Sequence, residues 1–242
     1  MTFYQLRISI VPILLLSTAA CIVAWQISTG VDRGRAQRMA DLIGDYSAGR
    51  ITEQTARTQL ADSCAEQDLW RWLEHPTRPV RDSAILGLGL IGTTQSVERL
   101  NRSLKNRNRH TAQLAEHAVR RLRSRTGNPM IDALLDRADE LARDGNSSRA
   151  LETLQQCARI LPNHAEVHYR TGTLLLDLDR WADAENALSQ ALETDPTHFD
   201  ALLGRALSLI ERGQFLRANM DCLRALEINP NMDEVRLLLR GR

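Results

Sequence analysis

The sequence predicts an all-α chain, an α-solenoid of helix hairpins stacked in series behind an amino-terminal transmembrane helix. Three observations carry this. Pro162, Pro196 and Pro230 stand 34 residues apart, and a fixed period of that size marks a helical repeat array. Aromatic residues make up only 4% of the chain while apolar residues reach 43%. That balance suits Ala/Leu helices, and no stretch sustains the period-2 alternation of a strand. Finally, Ile8–Ile27 contains no charge.

That first element is long enough to cross a bilayer, since about 20 helical residues span about 30 Å. Phe3, Tyr4 and Trp25 lie near its ends, where aromatic belts sit. Two rival readings stay open. One is a cleaved signal peptide. The other is lipidation at Cys21, because Thr18-Ala-Ala-Cys21 resembles a bacterial lipobox. The expected localisation is a single-pass membrane protein of a bacterial inner membrane, and only Lys105 among the 31 basic residues is lysine, a bias typical of a high-GC genome. Arg33, Arg35 and Arg38 after the span, against Arg7 before it, favour a cytoplasmic carboxyl side. Short-tailed bacterial anchors commonly export their soluble part, so the side stays open.

Residues 31–63 read as a polar helical stalk or hairpin, with Thr52 placed to cap a helix. Residues 64–128 form the next segment. In Pro79-Val-Arg-Asp-Ser-Ala-Ile-Leu-Gly-Leu-Gly-Leu-Ile-Gly92, spacings of four put Val80, Ala84 and Leu88 on one helical face, echoed by Leu114, Ala118 and Leu122. The phrase resembles a HEAT repeat. Gly87-x-Gly89-x-x-Gly92 also matches a dinucleotide fingerprint, but no strand precedes it and no βαβ unit surrounds it. Close helix packing accounts better for those glycines.

Charge is unevenly placed. Residues 131–242 carry 13 Arg against 19 Asp/Glu, whereas residues 1–130 carry 18 basic against 11 acidic. A basic patch gathers at Arg99, Arg102, Lys105, Arg107, Arg109, Arg120 and Arg121, with Arg123 and Arg125 beside it. It could be a solvated face, a contact for anionic lipid or an acidic partner, or a face leaning on the acidic half of its own chain. No aromatics interleave it, which argues against nucleic acid.

Residues 131–232 hold three copies of one 34-residue phrase, followed by a capping helix at 233–242. Small residues recur in register: Ala138, Gly172 and Ala206; Ala150, Ala184 and Ala218; Cys157, Ala191 and Ala225. Gly145, Asp179 and Gly213 occupy the same turn in each copy. The pattern resembles the tetratricopeptide repeat family, whose unit is two antiparallel helices. The resemblance implies that the first helix of each pair lines a concave groove. The groove residues would be Asp132, Leu135, Asp139, Ala142 and Arg143, then Glu166, Tyr169, Thr173, Leu176 and Asp177, then Asp200, Leu203, Leu207, Ile210 and Glu211. Leu135, Asp139, Tyr169, Thr173, Leu176, Asp177, Leu203 and Leu207 are the candidate partner-binding residues. An apolar middle with acidic margins suits an amphipathic or extended peptide. It does not suit the family's carboxylate clamp, which uses Lys, Asn and Arg.

No catalytic residue, metal or cofactor is expected. Cys21, Cys64, Cys157 and Cys222 form no CxxC pair, and neither a Gly-x-Ser-x-Gly elbow nor a P-loop occurs. His164 and His168 have the spacing of two ligands on one helix face, but the phrase lacks the zincin glutamate position. The expected function is a membrane-tethered protein–protein interaction scaffold that binds a peptide or helix in its groove. The alternatives are an assembly factor presenting a client protein, of the cytochrome-maturation or pilus type, and a non-catalytic regulatory subunit of an enzyme.

Overall fold

A computed structural model describes residues 32–240. The expected membrane helix at Ile8–Ile27 and the lipobox at Cys21 lie outside the described residues. Among the described residues no helix is long and apolar enough to cross a membrane. The described residues form thirteen helices and no strand. They divide into two compact units after Gly87, within the segment read as HEAT-like.

The first unit holds α1 (residues 32–47), α2 (Glu53–Ser63), α3 (Glu66–Trp72) and the start of α4 (Arg78–Ile91). Thr52 caps α2, its Oγ1 accepting from the Thr55 amide at 3.2 Å. The residues read as a polar stalk contribute a core: Ala36, Met39 and Ile43 of α1 and Ala56 and Leu60 of α2 are buried, as are Leu69 and Trp72 of α3. The Trp72 indole N–H donates to Asp32 Oδ1 at 3.3 Å. A Cβ on Gly87 would meet Leu60 and Leu69 methyls at 3.3 Å, so helix packing is what this glycine serves.

The second unit begins at Leu88. It contains α5 (Gln95–Leu104) and α6 (Arg109–Arg123), then three hairpins and a terminal helix. The hairpins are α7 (Pro129–Arg143) with α8 (Ser147–Ile160), α9 (Ala165–Asp177) with α10 (Trp181–Thr194), and α11 (Phe199–Glu211) with α12 (Phe215–Ile228); α13 (Asp233–Arg240) packs on α12. Local signals set their ends. Asn108 and Asn128 cap α6 and α7, and Pro129 opens α7 where its missing N–H costs nothing. The hairpin turns place Gly145, Asp179 and Gly213 at φ 78°, 56° and 72°.

The small residues let the helices close on one another. Ala138, Ala206, Ala150, Ala184, Ala218, Cys157, Ala191 and Ala225 are each at most 1% exposed. Leu188 of α10 wedges against two glycines, since a Cβ on Gly172 would lie 2.5 Å from its Cγ and one on Gly204 3.2 Å from its Cδ1. α10 thus packs on both α9 and α11, as α8 does on α9, which makes the series a solenoid. Fully burying a leucine contributes about 1.5–3 kcal/mol, so these seams, rather than helix propensity, hold the array. A bidentate pair from Arg205 to Asp221, both contacts 2.8 Å, ties α11 to α12.

Candidate functional site

The first helices of the pairs, α7, α9 and α11, carry the predicted groove residues, and the structure gives these different surroundings. Asp139, Thr173 and Asp177 meet. With Ala142, Arg143 and Arg170 they line a cleft of about 340 Å³. Leu176, Leu203 and Leu207 do not line it. Leu207 is 37% exposed on α11, while Leu176 and Leu203 are half-buried. Leu135 is 0% exposed and sits in the core with Ile131, Leu154 and Cys157. It is thus a correction to the groove set: its side chain fills the seam inside the first hairpin and is not available to a ligand.

Arg170, which the groove register passes over, organises the cleft. Its Nη1 donates to Asp139 at 2.8 Å and its Nε to Glu166 at 2.7 Å, one helical turn earlier. The Thr173 hydroxyl donates to the Arg170 carbonyl at 2.9 Å. Burial raises the Asp139 carboxyl above its usual range despite Arg170, with Glu166 and Asp136 adding to the rise. For Glu166 burial pushes upward too, but His198 and Arg170 win and hold it low. The one legible signal for Arg170 was its spacing of four from Glu166.

Tyr169 is turned to internal use. Its ring lies 4.6 Å from that of His198, and burial, followed by the charges of Asp200 and Glu166, raises its phenol. The turn after α10 and the start of α11 are the seat of α6. Arg120 donates to both oxygens of Asp200 at 3.1 and 2.8 Å. Arg123, its side chain 5% exposed, donates to Asp195 at 2.8 Å and to the Thr197 carbonyl at 2.7 Å. Both guanidinium carbons lie over the Phe199 ring, at 5.6 and 5.0 Å from its centre.

The basic patch is therefore largely spent within the chain. Beyond Arg120, Arg109 donates to Asp233 at 3.1 Å, and Arg99 and Arg121 are also engaged. Arg102 and Lys105 line a cavity of about 480 Å³ with Arg224 and Glu227, and Arg107 is exposed. Of the three readings of the patch, the intramolecular one describes Arg109 and Arg120.

A tetratricopeptide repeat family model matches residues 141–207, across the hairpin seams just described. The chain carries tetratricopeptide repeats. A curated relative, the UDP-N-acetylglucosamine–peptide N-acetylglucosaminyltransferase of Giardia intestinalis, is 28% identical over 91 residues, 38% of this chain and 6% of that enzyme. Similar solved structures include the second such domain of Spaghetti bound to an HSP90 peptide (19% identity, 41% of this chain and 93% of that one, TM-score 0.40). The type III secretion translocator chaperone SycD of Yersinia enterocolitica is another (15%, 47% and 86%, TM-score 0.42).

The histidines sit at a seam between tetratricopeptide units. His164 precedes α9, and His168 Nε2 donates to the Pro162 carbonyl at 2.6 Å. Among the described residues no group of three His, Cys, Asp or Glu is placed to hold a metal.

Proposed function

We propose that the repeat array is a protein-interaction scaffold, and that the part of its inner face left open by α6 grips a peptide or short helix of a partner protein. The observation that carries this is the cleft between α7 and α9. It sets Asp139 and Asp177 beside Arg143 and Arg170, with Thr173 and Ala142 between them. Charges of both signs around a small uncharged floor suit a polar peptide laid along the helices, gripped by side-chain pairs rather than by one deep pocket. Ile8–Ile27 would tether this surface to a membrane and raise its effective concentration toward other membrane-bound proteins.

The test is crosslinking from intact membranes with the full chain, comparing wild type with Thr173→Arg/Asp177→Arg. Partner bands present in wild type and lost in the variant support the reading. Bands that survive unchanged place the partner elsewhere.

A further inference from the structure

The α5–α6 hairpin precedes the array in sequence, yet its side chains bond the turn after α10, the start of α11 and the terminal helix. Asn101 donates to Thr197 at 3.2 Å across 96 residues, and the Asn231 amide donates to the Leu104 carbonyl at 2.7 Å across 127. Arg120, Arg123 and Arg109 reach Asp200, Asp195 and Asp233 in the same way. Asp200 belongs to the inner face by its register. So α6 reaches the margin of that face, presenting two arginines, Arg120 and Arg123, one turn apart.

Inside the array each helix packs closely along its neighbours, whereas α5 and α6 pack closely on each other and along no helix of the repeats. Ion pairs, hydrogen bonds and the two guanidiniums over Phe199 cross the seam, and it borders two open clefts, of about 570 Å³ and 480 Å³, between hairpin and repeats. Arg123 Nη1, Asn101 Oδ1 and His164 Nδ1 beside these clefts have no hydrogen-bond partner among the described residues, as is true of His198 Nε2 and Asn229 Nδ2 within the array. Close packing along helices is what makes a seam costly to separate. A seam without it is cheap to open. The repeat-to-repeat seams, with Leu188 wedged against Gly172 and Gly204, are not.

We propose that α6 is a resident, displaceable occupant of the inner face, and that the partner it stands in for is a helix bearing two arginines one turn apart. Such a helix would pair with Asp200 and Asp195 and lie over Phe199 as α6 does. The tethered copy blocks weak competitors because its effective concentration is high. This rests on reading the inner face as the partner surface.

The probe is a labelled synthetic peptide of residues 107–125, titrated by fluorescence anisotropy into the full chain in detergent micelles. The chain variant Arg120→Glu, whose own α6 is repelled by Asp200, should bind the peptide about tenfold more tightly than wild type. Asp200→Arg should reject that peptide and accept one carrying Arg120→Glu. Equal binding to wild type and Arg120→Glu, or binding to Asp200→Arg as tight as to Arg120→Glu, overturns the proposal. Arg120→Gln, a milder change on a half-exposed side chain, repeats the first comparison should the charge reversal disturb folding. Peptide exchange that persists in Thr173→Arg/Asp177→Arg after partner capture is lost separates the two proposals. The α6 seat and the open cleft are then independent.

Discussion

Two residues show how finely the seams are set. Gly172 faces Leu188 with no room for a methyl group. Gly172→Ala should lower stability by about 1–3 kcal/mol, the usual cost of overpacking. A thermal melt followed by circular dichroism checks it, and an unchanged midpoint would mean that Leu188 can move aside. Asp179 tests the opposite case. It holds φ 56° in the turn where the other two repeats have glycine, and the left-handed region strains a side chain. Asp179→Gly should therefore raise stability by up to about 1 kcal/mol in the same melt. The 34-residue register picked out both positions. It could not show that Leu135, in the same register as Tyr169 and Leu203, is buried in the first hairpin while those two are half-buried. Which way an inner-helix leucine turns depends on the neighbouring hairpin, which no single repeat contains.

At the scale of elements, the α5–α6 hairpin depends on ionised carboxylates. Burial opposes the charge on Asp195, yet Arg123 and the Thr197 hydrogen bonds hold its carboxyl below the ordinary range. Glu166 is likewise held low by His198 and Arg170 against its burial. Groups depressed in the folded state stabilise it above their unfolded values. That contribution is lost as pH falls through the lower folded ones. Below about pH 4, amides of α5 and α6 should lose hydrogen-exchange protection before those of α10 and α11, whose seam is packed around Leu188. Simultaneous loss would show that hairpin and array unfold as one unit. A second element-level expectation concerns the Arg205–Asp221 pair. Asp221→Ala would leave Arg205 without its bidentate partner and should cost roughly 2 kcal/mol, read as a shift in the urea midpoint.

For the whole molecule, the division of charge acquires a structural use. The acidic half, residues 131–242, meets arginines from the basic half through Asp195, Asp200 and Asp233. The outer face of the last hairpin keeps Leu216, Met220 and Leu223 exposed, so α13 covers only part of the final repeat. Tethering is tested at this scale as well. The full chain should stay with membranes through alkaline carbonate washing, and a chain begun at residue 32 should be released. Retention of the shortened chain would place membrane attachment outside Ile8–Ile27.

The helical class, the repeat family and the register of the small residues are all legible in the chain of amino acids. Those arise from local periodicity and from turns and caps that act within a few residues. The sequence also located the basic patch and named a fold-back onto the acidic half as one of three readings. Folding selected among these for Arg109 and Arg120, buried Leu135, and made Arg170 the centre of the open cleft. Ion pairs between residues 72 to 124 positions apart leave no periodic trace in a chain, because their geometry exists only once the array has closed and its helix ends have been brought to face α6.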